Sequence, residues 1–245
     1  MKNVAAIILA AGKGVRMQSD LPKVFHRLAG KPLLQHVIES VQKCGIDKIY
    51  VVVGHKKKLI TDHFKTWDVN FVVQDQQLGT GHAVKMAEDQ LKDFEGTVLV
   101  LAGDVPLLSS TTLNKLIDFH LRNHATATDL TANLPDAGSY GRIVRDAAGN
   151  FVKIVEKKDA SEEELKIKEI NTGTFCFDCK LLFEALGELR AENVQKEYYL
   201  TDTIEILKAK EKPVFAYPAE DYTETLGINT KDELAQMEAK CQMTN

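Results

Sequence analysis

The sequence predicts an α/β protein with a Rossmann-like fold, in which helices cover both faces of a mostly parallel sheet and a small antiparallel appendage follows. Two observations predict this fold. In the first half of the chain, short apolar runs alternate with stretches of helical periodicity, which is typical of parallel strands joined by helices. In the second half, two runs of strand character flank a turn at residues 148–150, which indicates an antiparallel hairpin.

The elements of the first half follow from local signals. Apolar runs of strand length predict four buried strands, at AAIILAA, KIYVVVG, NFVVQ and TVLVLAGD. Apolar residues at helical spacing predict helices between them, over LLQHVIESVQ, LITDHFK and residues 82–94. Pro32 occupies a first-turn position of the first of these helices, and Gly45 is placed to end it.

The second half predicts antiparallel strands and short helices. Strands are expected at TDLTANLP, on both sides of the turn in YGRIVRDAAGNFVKIVEK, and at EINTGTFCFD. Helices are expected at SEEELKIK, with Ser161 as N-cap and Glu164 completing a capping box, and at KLLFEALGEL. No linker rich in Gly, Pro or Ser divides the 245 residues, so we expect residues 1–245 to form a single domain.

Composition narrows the possible functions. The net charge of -4 argues against a chain-wide surface for nucleic acid or anionic membranes. No apolar stretch approaches the ~20 residues that span a bilayer, and the N-terminus begins a core strand instead of a signal peptide. We therefore expect a cytoplasmic protein that has no nucleic-acid partner and no membrane partner.

Cys176 and Cys179 form a C-x-x-C pair. A zinc site needs two further ligands at comparable spacing, and a thioredoxin-like motif needs a helix N-terminus after a strand of that fold. Cys176 alternates with Phe175 and Phe177, so we expect it to be a half-buried strand cysteine without metal or redox chemistry.

The stretch LAAGKGVRMQSDLPK, residues 9–23, is the strongest functional signal in the first half. Gly12 and Gly14 permit a tight turn in which backbone N–H groups converge on phosphate oxygens. Arg16 and Lys23 add two cations, so the stretch predicts a nucleoside triphosphate site. An ordinary glycine-rich loop after a strand is the alternative that the glycines alone leave open.

Two other phosphate-binding fingerprints do not fit this stretch. A dinucleotide fingerprint needs a third small residue where this chain has Met17, and an acidic residue where the next strand ends in Gly54 and His55. A Walker A loop fails because the spacing around Lys13 does not match its pattern.

Polar residues also follow two other predicted strands. Asp104 directly ends TVLVLAGD, and a hard carboxylate at the same sheet edge as a phosphate loop favours Mg²⁺. The loop QDQQLGTGHA offers amide side chains, whose paired donor and acceptor suit the edge of a pyrimidine ring. The alternatives are a turn or capping role for Asp104 and a helix-capping role for the loop.

Seven motifs together carry a family resemblance: LAAGKGVRMQSDLPK, QQLGTGHA, GDVPL, YGRIVRD, IVEKKDA, INTG and EYYLTD. In this order and spacing they closely resemble the uridyltransferase half of the bifunctional GlmU family of sugar nucleotidyltransferases, over nearly the whole chain. The resemblance implies a nucleotide-diphospho-sugar transferase fold. It also implies that UTP and N-acetylglucosamine 1-phosphate are joined, with Mg²⁺, into UDP-N-acetylglucosamine, a peptidoglycan precursor, and pyrophosphate.

The resemblance assigns roles by position. Arg16 and Lys23 are the expected catalytic cations, and Asp104 and Asn229 the expected Mg²⁺ ligands. The residues expected to bind the nucleotide are Leu9, Ala10, Gly12, Gly14, Gln74, Gln77, Gly79, Thr80 and Gly103. The residues expected to bind the amino sugar are Gly141, Glu156, Asn171, Tyr199 and Thr201. Outside the motif frame, Glu156 would be a solvated strand charge and Asn229 a turn residue that initiates a helix.

The chain departs from the family pattern at two places. It has Ala102, Gly103 and Asp104 where the family often shows Tyr-Gly-Asp, so the contribution of an aromatic ring near the nucleotide is missing. The bifunctional family continues into a trimer-forming β-helix that acetylates glucosamine 1-phosphate, whereas this sequence ends at Asn245. We therefore expect no β-helix domain, no acetyltransferase activity, and a monomer or weak dimer.

Two alternative functions stay open. The chain could transfer another nucleotide or act on another sugar phosphate, for example dTTP or glucose 1-phosphate, because one fold serves several substrates. It could also be a nucleotide-binding regulatory module without catalysis, although its complete set of charged site residues counts against this.

Overall fold

The computed structural model describes residues 3–243, and the side chains of residues 3–241. Its strands are β1 (Val4–Ala10), β2 (Arg27–Leu28), β3 (Lys31–Pro32), β4 (Lys48–Val53), β5 (Asn70–Val73), β6 (Thr97–Ala102), β7 (Ala127–Asn133), β8 (Arg142–Arg145), β9 (Phe151–Val155), β10 (Glu169–Asp178) and β11 (Val214–Pro218). Its α-helices are α1 (Leu33–Lys43), α2 (Lys57–His63), α3 (Thr80–Lys85), α4 (Glu88–Leu91), α5 (Ser110–Arg122), α6 (Cys179–Leu186), α7 (Asp202–Ala209) and α8 (Lys231–Met243).

One nine-stranded sheet organises the described residues, and its main path runs β11-β7-β10-β6-β1-β4-β5. β1 pairs in parallel with β4 and β6, β4 with β5, and β7 with β11. β10 runs antiparallel to both of its neighbours, β6 and β7, and the β8–β9 hairpin pairs onto it. The predicted Rossmann-like fold, mostly parallel with a small antiparallel part, is confirmed.

Helices cover both faces of this sheet. On one face α3, α6 and α7 contribute Val84, Leu182 and Ile204 to a continuous apolar core. On the opposite face α1 and α5 contribute Ile38 and Leu116 to a second core. Because the central strands are buried on both sides, their sequences are nearly continuous apolar runs, which is why they were recognisable as strands.

The parallel direction of β1, β4, β5 and β6 determines where polar side chains collect. The last residues of these strands, Ala10, Val53, Val73 and Ala102, lie at one edge of the sheet. The loops that follow them contain the predicted phosphate stretch, the glutamine-rich loop and Asp104. The carboxyl edge of parallel strands is the usual ligand side of such sheets, so the fold brings these three segments together.

Three local expectations differ from the structure. Residues 82–94 form two short helices, α3 and α4, because the backbone at Ala87 (φ -89°, ψ 1°) leaves the helical conformation. The capping box of Ser161 and Glu164 forms, but the chain makes only one 3₁₀ turn, since Ile167 is already extended toward β10. Cys176 is fully buried instead of half-buried, because β10 is an interior strand.

Asp129 on β7 is an unusual residue in this core. It is fully buried, and neither carboxylate oxygen has a hydrogen-bond partner among the described residues. Burial, and secondarily the charges of Glu169 and Glu156, raises the pKa of Asp129 well above its usual value. The folded protein therefore holds this carboxyl protonated at a pH at which the unfolded chain has released the proton.

We expect Asp129→Val to stabilise the protein by about 1 kcal/mol or more at pH 7, because an unpartnered buried polar group costs that much. A raised folded-state pKa lowers stability as the pH rises above the unfolded value, near 4. The gain should therefore grow from pH 4 to pH 7 in urea unfolding. As a matched control, Asp178→Ala should destabilise by about 1 kcal/mol, since Asp178 caps α6 by accepting from Leu181 N–H at 2.9 Å. A loss of stability in Asp129→Val would contradict this account.

Candidate active site

The phosphate stretch leaves β1 and folds back on itself. Gly14 adopts φ +61°, and a Cβ atom there would lie 2.6 Å from the Cβ of Lys23, so only glycine allows this close approach. A 3₁₀ turn over Val15–Met17 follows, in which Met17 is fully buried. Met17 thus anchors the loop in the core, at the position where a dinucleotide-binding loop would have a small residue. Arg16, the middle residue of this 3₁₀ turn, is exposed.

Four predicted charged or polar residues meet beside this loop. Lys23 Nζ forms an ion pair with Asp104 and donates to Asn229 Oδ1 at 3.0 Å. Arg16 Nη2 donates to the same Asn229 oxygen at 2.8 Å. The structure therefore brings together both expected catalytic cations and both expected metal ligands, although Asn229 lies more than 200 residues from the cations in sequence.

The position of Asn229 depends on neighbours that were not predicted from the sequence. Asn229 N–H and Thr230 N–H both donate to Glu233 Oε2, at 2.6 and 3.2 Å, and Glu233 N–H donates to Thr230 Oγ1 at 3.1 Å. This is a capping box at the start of α8, and its T-x-x-E signature was available in the sequence. Tyr140 Oη accepts from Gly227 N–H at 2.9 Å, which ties the same segment to the loop before β8.

A cavity of about 570 Å³ opens beside the phosphate stretch. Most of the residues predicted to bind the nucleotide line it, together with Lys23 and Asp104: Leu9, Ala10, Gly12, Gln74, Gln77, Gly79 and Thr80. Gly14 and Gly103 do not line it; Gly103 N–H instead donates to Leu9 O at 2.9 Å and holds β6 against β1. Glu197 lines the cavity and was not predicted.

The glutamine-rich loop packs against residues 197–200. Tyr198 N–H donates to Leu78 O, and Gly81 N–H donates to Tyr198 O, both at 2.8 Å. Gly79 adopts φ +115°, and a Cβ atom there would lie 2.5 Å from Tyr198 O. The glycine is therefore required by its backbone conformation and by the close approach of the second chain segment.

Gly79→Ala should lower the free energy of unfolding by about 1–3 kcal/mol, because both the left-handed backbone and the contact with Tyr198 become strained. Urea unfolding at 25 °C measures the effect. Gly12→Ala is the matched control, since a Cβ at Gly12 meets no atom within 4 Å and its φ is ordinary. Equal stabilities of the two variants would contradict the inferred strain at Gly79.

A second cavity, of about 240 Å³, adjoins the first. Four of the predicted sugar residues line it: Gly141, Glu156, Asn171 and Thr201. Thr201 Oγ1 donates to Glu156 Oε1 at 3.2 Å, and burial raises the pKa of Glu156. A bulge in β10 shifts its register with β7 between Asn171 and Phe175, and this segment forms part of the cavity wall.

Tyr199 is the predicted sugar residue that does not line this cavity. Its hydroxyl donates to Asp159 Oδ2 at 3.3 Å, and it lines a third cavity, of about 600 Å³, on the other side of Glu156. Asp202 lines the same third cavity, and burial with the charges of Glu205 and Asp159 raises its pKa to about 6. Position in a motif does not fix the direction of a side chain.

Asp104 and Asn229 carry side-chain oxygen atoms of the kind that Mg²⁺ prefers as ligands. Within residues 3–241 no three His, Cys, Asp or Glu side chains cluster so as to hold a metal ion. However, Asp104 and Asn229 Oδ1 both contact the Lys23 ammonium, so their oxygens already converge on a cation. Mg²⁺ prefers hard oxygen ligands and commonly takes only one or two from the protein, with water and phosphate completing its shell. The donor set fits this ion.

One family model matches this chain. The family model of the MobA-like NTP transferase domain matches residues 6–158, which include the phosphate stretch, the glutamine-rich loop and Asp104.

Within the described residues, no helix combines the length and the apolar character needed to cross a membrane.

Curated relatives are similar along almost the entire chain. The protein named bifunctional protein GlmU from Streptococcus equi subsp. zooepidemicus is 51% identical over 246 residues, covering 99% of this chain and 52% of that protein. The protein of the same name from Shouchella clausii is 50% identical, covering 96% of this chain and 51% of that protein. The chain thus spans about half the length of these relatives.

Two solved structures show the same fold at low sequence identity. A UDP-glucose pyrophosphorylase in complex with UDP-glucose superimposes with a TM-score of 0.82 at 19% identity, over 100% of both chains. A putative glucose-1-phosphate thymidylyltransferase from Bacillus anthracis gives a TM-score of 0.75, also at 19% identity, over 99% of this chain and 96% of that one.

Proposed function

The chain belongs to the MobA-like NTP transferase domain family, and from this premise we propose that it joins UTP and N-acetylglucosamine 1-phosphate into UDP-N-acetylglucosamine and pyrophosphate. Relatives named bifunctional protein GlmU, about half identical in sequence, support this choice among nucleotidyltransferases. We assign residues 1–245 to a single nucleotidyltransferase domain that acts in the cytoplasm.

The observation that carries the proposal is the junction of two cavities at Asp104. The cavity of about 570 Å³, which Lys23 lines, and the adjoining cavity of about 240 Å³, which Arg16 and Asn229 line, share Leu9, Thr80, Ala102 and Asp104 in their walls. Of these two, the first is called the larger cavity and the second the smaller cavity. A transferase that joins two phosphate-bearing substrates needs two adjoining sites with cations where they meet. This arrangement also favours a catalyst over a regulatory module that binds one nucleotide.

We assign the nucleotide to the larger cavity and the sugar phosphate to the smaller one. Gly12 at the turn and Lys23 would face the triphosphate, and Gln74 with Gln77 would face the base. In the smaller cavity, the Glu156 carboxylate and the Asn171 amide offer polar groups suited to sugar hydroxyls, and Gly141, which also lines it, would face the acetamido group. Thr201 donates to Glu156 and would hold its carboxylate, whereas Tyr199, which donates to Asp159, would support the pocket from the third cavity, which Glu156 also lines.

The chemistry requires little from the protein beyond positioning and charge. An oxygen of the sugar 1-phosphate attacks the α-phosphorus in line, and the bond from the α-phosphorus to the bridging oxygen breaks, so that its electron pair leaves with pyrophosphate. A phosphate dianion is already a nucleophile, so no general base and no covalent enzyme intermediate are needed. Lys23 and Arg16 offset the negative charge that develops on the α-phosphate and the leaving group.

Asp104 and Asn229 would hold Mg²⁺. When bound, the ion supplies charge neutralisation and a common template for both substrates. For that, the protein must keep the two oxygens together, which it does through Glu233 and Tyr140 around Asn229 and through the end of β6 at Asp104. Ile228 N–H also donates to Asp104 O at 2.9 Å, so the two ligand segments are joined directly.

Pyrophosphate release from purified protein tests the proposal. With UTP and N-acetylglucosamine 1-phosphate we expect one pyrophosphate for each UDP-N-acetylglucosamine formed, and no release when either substrate is omitted. Binding of UTP in calorimetry without any pyrophosphate release would instead support the regulatory-module alternative. Faster release with dTTP or glucose 1-phosphate would contradict the assigned substrates.

A further inference from the structure

We infer that His82 is a positioning residue for base selection, and that it holds the Gln74 amide with its carbonyl oxygen directed toward the nucleotide base. The inference rests on the proposed function, because it takes Gln74 to face the base. It adds a residue to which neither the sequence motifs nor the family assigned a role, and it specifies a chemical basis for choosing uracil over cytosine.

Gln74 is well suited to read a base because little of it can move. It is 97% buried at the end of β5, lining the larger cavity. Its N–H donates to Val53 O at 2.8 Å, and its carbonyl accepts from Gln77 Nε2 at 3.1 Å. Because the backbone N–H and the backbone carbonyl of Gln74 are both hydrogen-bonded, the remaining question is which end of its side-chain amide faces the cavity.

Two neighbours decide that choice. Gln74 Nε2 lies 3.1 Å from Gly79 O and 2.9 Å from His82 Nδ1. A backbone carbonyl can only accept, so the amide group that faces Gly79 must be the NH₂ end. Its second hydrogen then points to His82 Nδ1, which must be the unprotonated ring nitrogen, with the ring hydrogen on Nε2.

The arrangement requires a neutral His82 ring, and the surroundings of the ring favour that form. His82 lies in the short helix α3, where burial and the nearby charge of Lys85 lower the pKa of its ring more than a hydrogen bond with the Gln76 backbone raises it. A protonated ring would place a hydrogen on Nδ1, opposite the amide NH₂, and the hydrogen bond would be lost.

The consequence for the base follows from hydrogen-bond chemistry. Both hydrogens of the Gln74 NH₂ are used inside the protein, so Oε1 is the group left for a ligand. Uracil and thymine carry a hydrogen on N3, which can donate to a carbonyl oxygen, whereas N3 of cytosine has only a lone pair. A fixed carbonyl therefore accepts uracil and repels cytosine, whereas a freely rotating amide could serve either base.

Three variants test this inference. His82→Leu removes the acceptor and should lower the ratio of kcat/KM for UTP to that for CTP by about tenfold or more. A site that hydrogen-bonds one substrate group rejects an analogue lacking that group at least this strongly. His82→Asn carries Oδ1 at the same number of bonds as Nδ1 and should keep the ratio within about threefold of wild type. Asp89→Asn, an exposed change on α4, is the matched control and should not alter it.

Calorimetric binding of UTP and CTP to the same variants gives a second readout that does not depend on turnover. If His82→Leu does not fold, His82→Gln replaces it, because its acceptor lies one bond farther out and should also lower the ratio. A ratio in folded His82→Leu, or in His82→Gln, that stays within threefold of wild type would overturn the role of His82 while leaving the proposed function intact. A wild-type protein without preference for UTP over CTP would overturn both.

Discussion

Replacing Lys23 with methionine is expected to lower kcat for pyrophosphate release by about 100-fold or more, because loss of one charge-stabilising group from a preorganised site typically has that effect. Lys23 contacts both Asp104 and Asn229, and it lines the cavity assigned to the triphosphate. No other lysine joins these groups in the described part of the chain. Steady-state kinetics at saturating substrates measures the change.

The effect of Lys23→Met must be separated from a loss of folding. The side chains of Lys23 and Asp104 are only 20% and 13% exposed, and removing one partner of a largely buried pair also destabilises the protein. The folded fraction should therefore be checked by circular dichroism. Lys115→Met is the matched control, since Lys115 pairs with Glu220 at 2.7 Å on the surface. A folded Lys23→Met variant with a kcat near wild type would contradict the catalytic role.

Asp104→Ala is expected to lose turnover by about 100-fold or more at every Mg²⁺ concentration, because both the proposed metal ligand and the partner of Lys23 are lost. Mn²⁺ binding in the presence of UTP, followed by electron paramagnetic resonance, should weaken in parallel. This second measurement separates a ligand role from a purely electrostatic one.

Glu220→Gln is the control for this variant, because it removes a carboxylate from an ion pair that lies outside the site. Near-normal rates of Asp104→Ala at saturating Mg²⁺ would contradict the metal assignment. Normal Mn²⁺ binding with a low rate would show instead that Asp104 acts mainly by placing Lys23.

Much of the fold was predictable from the sequence because the central strands are buried on both faces. Their nearly continuous apolar runs reveal strand positions, and the helices between them make parallel pairing the simplest arrangement. The carboxyl edge then follows from topology, which is why the phosphate stretch and Asp104 were expected on the same side. Gly14, placed against Lys23 at φ +61°, gives a structural reason for a glycine whose role was inferred from its residue type.

Other parts of the site depend on contacts that local patterns do not encode. Asn229 lies near Lys23 in part because Gly227 N–H donates to Tyr140 Oη, more than 80 residues away in sequence. The capping box that also holds Asn229 could be read from the sequence, but this long-range contact could not. The register shift of β10 between Asn171 and Phe175 does not appear in the alternation of EINTGTFCFD, and its one local signal is Gly173, which adopts φ +78°. Tyr199 points toward Asp159, and the role inferred for His82 rests on which atoms face Gln74. These are side-chain directions, which spacing alone does not determine.

The most direct test of the proposed function is a competition reaction. UTP, dTTP, CTP and ATP are mixed at equal concentrations with N-acetylglucosamine, glucosamine and glucose 1-phosphates, and the nucleotide sugars formed early in the reaction are identified by mass spectrometry. The product ratios report relative kcat/KM values directly. We predict that UDP-N-acetylglucosamine dominates and forms in step with pyrophosphate. A dominant dTDP-sugar, a dominant glucose product, or no nucleotide sugar at all would contradict the proposal.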